Sequence, residues 1–195
     1  MNKKSLKRWV ARVIRVLTLP SVMSALLFTI LYFNTRIFGS VWEYLAAIAF
    51  LSLLPSSAYA LQPILPHFKN KGRNGQRTLA MIMSCAGYVL SVVYGFVFSV
   101  SIELLTVFIT YLMSGIVLLI LNKVFGIKAS GHASGLAGPV AVLSYFGGLL
   151  PLLCGGCVFA LSMWSALKIK RHTAAQFVAG ACVPTVIFFA IYSIM

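Results

Sequence analysis

Long apolar stretches separated by short polar breaks run through almost the whole chain, at 20–38, 41–65, 79–100, 104–121, 133–146, 149–167 and 173–194. A helix needs about 20 residues to cross a bilayer, so the stretch at 133–146 is short and the others are sufficient. The pattern predicts an all-α polytopic membrane helix bundle with seven transmembrane helices, six being the alternative count. No repeat or low-complexity tract divides it, and Gly and Pro are spread among the spans as membrane helices tolerate. Residues 1–195 read as a single integral membrane domain.

Composition strengthens this reading. Hydrophobic residues make up 61% of the chain, charged residues only 9%, and the mean hydropathy is +0.98, far from a soluble domain. Seven crossings consume nearly all of the chain, so no separate soluble domain fits.

The segment 1–17 is basic, with Lys3, Lys4, Lys7, Arg8, Arg12 and Arg15 ahead of the first apolar run. It superficially resembles a secretory signal. The absence of a clear small-residue cleavage site, and the equally apolar remainder, argue instead for a basic cytoplasmic N-terminus. Lys- and Arg-rich loops stay on the cytoplasmic side. Alternating from an inside N-terminus leaves Arg36 as the one outside cation among the 16 Lys and Arg residues. This arrangement predicts a multi-pass protein of the cell membrane, with both late histidine segments at the cytoplasmic face. The same cations sit at the ends of apolar spans rather than on a soluble basic face, which argues against nucleic acid as a partner.

Only two acidic residues, Glu43 and Glu103, accompany this positive charge, and there is no aspartate. Hard divalent cations need clustered oxygen ligands, so a magnesium cage is excluded and no metal or other cofactor is expected. The glutamates lie near the outer ends of their spans, away from the histidines, and receive no catalytic role. Cys85, Cys154, Cys157 and Cys182 fall within apolar spans without the electropositive surroundings of a redox pair, and read as packing residues. His67, in the basic loop with Lys69, Lys71, Arg73 and Arg77, has no partner pattern. That loop reads as a topology signal with anionic-headgroup binding as the lesser role.

The other two histidines carry the candidate chemistry. His132 lies in Lys128-Ala129-Ser130-Gly131-His132, where a Ser-Gly turn opens a helix. Helix N-termini present free N–H groups and a positive dipole end, so this turn beside Lys128 suits an anion, with the Ser130 hydroxyl as a further donor. His172 follows Lys168, Lys170 and Arg171. If its segment is helical, Lys168, His172 and Gln176 fall at i, i+4 and i+8 on one face.

These residues resemble the type 2 phosphatidic acid phosphatases, which share a fold with vanadium haloperoxidases and carry the motifs K-x6-R-P, P-S-G-H and S-R-x5-H-x3-D. Ala129-Ser130-Gly131-His132 is similar to the second motif with its proline replaced. Ser165-Ala166-x5-His172-x3-Gln176 reproduces the third motif's spacing with its arginine and aspartate replaced. The first motif is absent in its usual form, and Lys123 with Lys128 is the nearest basic pair. The likeness covers 123–180 and is closest to small bacterial members with Lys-x-Ser-x-His and His-Thr-x-x-Gln forms.

The resemblance implies a metal-independent lipid phosphate phosphatase acting on an isoprenoid or glycerolipid phosphomonoester or diphosphate. His172 would attack phosphorus to form a phosphohistidine, His132 would protonate the leaving alkoxide, and Gln176 would orient His172. Lys123, Lys128, Ser130, Gly131, Lys168 and Arg171 would bind phosphate. Partners would be the bilayer and the lipid phosphate, with a homo-oligomer left open. Gln176 can accept a hydrogen bond but carries no charge, and Ala166 removes a bidentate clamp that lysine cannot copy. These departures support an alternative, a catalytically degenerate protein that binds or transports a phospholipid or scaffolds a membrane complex. An intramembrane serine protease using Ser130 or Ser134 with His172 is a distant third, since the usual Gly-x-Ser-Gly spacing is missing.

Overall fold

A computed structural model describes residues 3–194, and the described residues are helical with no strand. In chain order the helices are α1 (Lys3–Leu17), α2 (Pro20–Asn34), α3 (Val41–Ile48), α4 (Leu54–Leu61), α5 (Pro66–Lys69), α6 (Gly72–Val97), α7 (Ile102–Lys123), α8 (Gly131–Gly147), α9 (Leu149–Lys168) and α10 (Ala174–Tyr192). A π-helical segment, Ala49–Leu53, joins α3 to α4 into one continuous rod, Val41–Leu61.

Five of these rods are long and apolar enough to cross a membrane: Val41–Leu61, α6, α7, α9 and α10. A sixth is obtained if α1 and α2, bent by 48° at their junction, count as one broken span. The chain is thus an all-α helix bundle with the build of a multi-pass membrane protein. The expected seventh crossing falls on α8, whose 17 residues rise about 26 Å against a hydrocarbon core of about 30 Å.

Outward faces are apolar, with Val93, Phe96, Leu150 and Val186 all exposed, while small hydroxyl residues fill the contacts between helices. Ser24, Ser91 and Ser162 are almost completely buried. Lipid is as apolar as leucine, so helices in it associate through close packing and interhelical hydrogen bonds instead of hydrophobic exclusion. The Ser24 hydroxyl meets the Tyr111 hydroxyl at 2.8 Å, and the Ser52 hydroxyl donates to the Ser21 carbonyl at 2.7 Å. The main core packs Phe28 and Phe108 edge to face between α2 and α7.

The two ends of the bundle differ in chemistry. One end gathers aromatic rings, with Tyr32 stacked on Tyr44 at 4.6 Å and Tyr145 against Tyr192 at 4.3 Å. Glu43 belongs to this end, where it accepts from the Gly39 N–H at 2.9 Å, and so does the Ser101 hydroxyl, which donates to the Ile37 carbonyl at 2.6 Å. Interfacial tyrosines of this kind sit at headgroup level. The opposite end holds α1, the α5 turn, the 124–130 loop and the 169–173 loop.

Two boundaries depart from the hydropathy pattern in ways that matter for the site. Most of the basic N-terminal segment, Lys3–Leu17, is a helix, α1, ahead of the first apolar run. The third span begins at Gly72 instead of 79, so Arg73 and Arg77 ride on the first turns of α6. With the native cysteines replaced, single cysteines introduced as Lys71→Cys and Lys170→Cys are expected to react with an impermeant maleimide from the same side of sealed vesicles. An Arg36→Cys variant is expected to react only from the other side.

Candidate functional site

Both histidines sit at helix starts. His132 is the second residue of α8, whose cap is Ser130, its hydroxyl accepting from the Ala133 N–H at 3.3 Å. His172 lies just before Thr173, the cap of α10. The two starts are joined directly, because the Ser130 N–H donates to the Gln176 carbonyl at 2.9 Å. At this crossing a Cβ built on Gly180 would lie 2.3 Å from the Ser130 carbonyl oxygen, so only glycine permits the approach. The loop is also tied from below by Asn122, whose Nδ2 donates to the Ala129 carbonyl at 3.1 Å. Lys128 adopts φ +59°, a left-handed conformation that a long side chain takes only when its surroundings demand it.

His132 is buried, and its Nε2 lies 3.0 Å from the Thr18 hydroxyl, between α1 and α2. That hydroxyl also reaches the Ile14 carbonyl at 2.9 Å and the Ser162 hydroxyl at 3.3 Å. Thr18 has one proton. If it is donated to the carbonyl, the hydroxyl oxygen accepts from Ser162 and from His132, which assigns the ring proton to Nε2.

His172 is half-buried, and its Nδ1 is enclosed without a hydrogen-bond partner among the described residues. Burial holds its pKa below the ordinary histidine value, and the charges of Arg15 and Arg77 push the same way, while Gln176 and the Lys128 backbone oppose them. The ring is therefore neutral at pH 7, with a free nitrogen lone pair. The charged groups acting on His132 are Arg15 and His172. Arg15 in turn feels Arg73 and Arg77, and its Nη1 is likewise enclosed without a partner among the described residues. Cationic side chains thus converge here from α1 and α6, beside the neutral His172 ring and His132, with neither glutamate among the groups acting on them.

No family model, no curated protein and no solved structure matches this chain.

The residues expected to bind phosphate divide into two groups. Ser130 and Gly131 stand at the start of α8, Ser130 fully buried and Gly131 exposed, where a side chain would meet open space. Lys123, Lys128 and Lys168 have exposed side chains, and Arg171 is half-exposed with its N–H on the Ala166 carbonyl at 2.9 Å. None of these four is among the charges acting on the histidines.

The single stripe of Lys168, His172 and Gln176 does not form. α9 stops at Lys168, Lys170 turns left-handed at φ +54°, and Thr173 starts a new helix, so the three residues lie on two helices and a loop. Gln176 serves as the return half of a capping box. Its Oε1 accepts from the Thr173 N–H at 3.2 Å while Thr173 Oγ1 accepts from the Gln176 N–H at 3.3 Å. Ala166 is fully buried against Ala133 and Phe177, leaving no room for a long cation.

Sequence reasoning missed Arg15, Arg77 and Thr18. Arg15 and Thr18 had a readable signal, since with Ala11 they fall at i, i+4 and i+7 on one helical face. In detergent, an NMR titration of the His172 ring is expected to give a midpoint below about 6.5. Saturating inorganic phosphate is expected to raise it, because a bound anion favours the protonated ring.

Proposed function

We propose that this protein is a membrane-embedded phosphatase for lipid phosphates, hydrolysing a phosphate ester whose headgroup enters the cation cluster at the end of the bundle. The observation that carries this reading is the convergence of Arg15, Arg77, His132 and His172 with no carboxylate, together with the two enclosed, unpartnered nitrogens, Arg15 Nη1 and His172 Nδ1. Like charges gathered in a partly desolvated place are costly unless an anion joins them. Phosphoryl transfer needs mainly positioning and cationic stabilisation of the equatorial oxygens, which is what such a cluster supplies.

In this scheme the neutral His172 ring attacks phosphorus, forming a P–N bond as the ester P–O bond breaks. On binding of the anionic phosphate His132 would take up a second ring proton from water, and this is the proton it delivers to the departing alkoxide. Water then attacks the phosphohistidine, giving up a proton to His132, and phosphate leaves with His172 neutral again. The helix start at Ser130 and Gly131 points its positive dipole end at the anion. Membrane-resident substrates are favoured because the cluster lies at the end of a bundle of membrane-span-like helices, where headgroups would meet it.

Purified protein is expected to release phosphate from isoprenoid or glycerolipid phosphates in chelator-containing buffer. His172→Ala is expected to fall to background and His132→Ala to lose about 10²–10⁴-fold in kcat. Full activity in His172→Ala would overturn the scheme. Tight phosphate or vanadate binding with no turnover on any substrate would favour the catalytically degenerate binding protein, a role that fits Gln176 being engaged as a cap.

A further inference from the structure

We infer that Arg15 is the guanidinium that grips the bound anion, filling the role that Ala166 leaves empty, and that α1 is a wall of the site. This inference rests on the phosphate-ester reading above and adds to it the group that binds and the direction from which the substrate arrives.

The geometry begins with one face of α1. Ala11, Arg15 and Thr18 are spaced four and three residues apart, so their side chains share a stripe. Both ends of the stripe are fixed to the bundle. At one end Ala11 is fully buried and its carbonyl accepts from the Ser165 hydroxyl of α9 at 2.5 Å. At the other, Thr18 reaches His132 of α8 at 3.0 Å and Ser162 of α9 at 3.3 Å. Arg15 lies between two pinned residues and cannot face away. Its Nη1 has been taken out of solvent and given no partner among the described residues.

Ala166 follows Ser165, the residue that anchors Ala11. α1 therefore covers the stretch of α9 where a clamp arginine would stand, and supplies an arginine of its own. A guanidinium presents two parallel N–H donors to a phosphate, which a lysine ammonium does not. The arginines acting on it, Arg73 and Arg77, repel a further cation and attract a dianion such as a phosphate monoester.

The other face of α1 indicates where the rest of the ligand lies. Leu6, Trp9, Val16 and Leu17 are between 45% and 63% exposed, turned away from the bundle. A helix with an apolar outer face and a basic inner one settles at the bilayer interface, tryptophan at headgroup depth. An amphiphile whose phosphate reaches Arg15 would then leave its chains in lipid alongside α1, without being lifted from the membrane.

The test uses full-length protein in detergent, with orthovanadate as the probe and thermal unfolding and equilibrium binding as readouts. Wild type is expected to be stabilised by vanadate. Arg15→Met is expected to lose on the order of 10- to 100-fold in vanadate affinity, the loss of charge-assisted bonds. Without vanadate it should melt no lower than wild type, because an unpaired cation among like charges has been removed. Arg15→Lys should bind at an intermediate level, and Arg12→Met, on the exposed side of the same helix, like wild type. If Arg15→Met binds as wild type does, the clamp assignment fails while the phosphate site stands. The assignment also fails if Arg15→Met melts lower without vanadate and Arg15→Lys binds at full strength, since Arg15 would then be structural. If wild type itself binds no vanadate, the phosphate-site reading falls and takes this inference with it.

Discussion

Where α10 crosses the Ser130 turn, two backbones meet with no side chain between them, and the arrangement of both histidines depends on that contact. Gly180 makes the approach sterically available, and the bond from the Ser130 N–H to the Gln176 carbonyl fixes its register. One consequence is that the start of α8 and the start of α10 move as a unit, although 40 residues of chain separate His132 from His172. A second is that the turn is tied from two sides, by Gln176 and by Asn122. Preorganisation of this kind is what phosphoryl transfer rewards, since donors already in position need no reorganisation when charge develops.

On this frame the site is assembled mainly by subtraction. Water is partly excluded, carboxylates are kept at the aromatic end of the bundle, and the arginines of α1 and α6 are left facing each other beside two histidines. Isolated, each would be an ordinary interfacial basic residue. Together they form a low-dielectric region of one sign, where an anion gains more than it would in water. Thr18 extends the order inward, holding His132 through a hydroxyl that also satisfies a helix carbonyl and a serine.

Hydropathy made the bundle legible because long apolar runs in lipid have one stable backbone solution, the helix. It also located His132 correctly, since Ser-Gly ahead of an apolar run is a helix start. Arg15 was hidden for a different reason. Arg15 sits in a basic segment, and topology accounts for basic residues near a membrane so readily that Arg15 looks like its neighbours. Only the tertiary contact of Ala11 and Thr18 with α8 and α9 singles it out. Arg77 was obscured by a boundary, because the polar start of α6 reads as loop until the helix is seen to begin at Gly72. The Lys168, His172 and Gln176 stripe failed because equal spacing implies a shared face only within one helix. Lys170 and Thr173 end one and start another.

The separation of charge along the bundle has an electrical consequence. All the cations but Arg36 lie toward one end, while Glu43 accepts from the Gly39 N–H at the other. The charge separation runs along the bundle, and so would lie across any membrane these helices span. In an energised membrane each elementary charge carried across costs or returns about 2.3 kcal/mol per 100 mV. Turning such a bundle over in a membrane would move many charges together, which opposes reorientation. For the proposed function this means that the leaflet from which the site could draw an amphiphile would be fixed together with the orientation of the bundle.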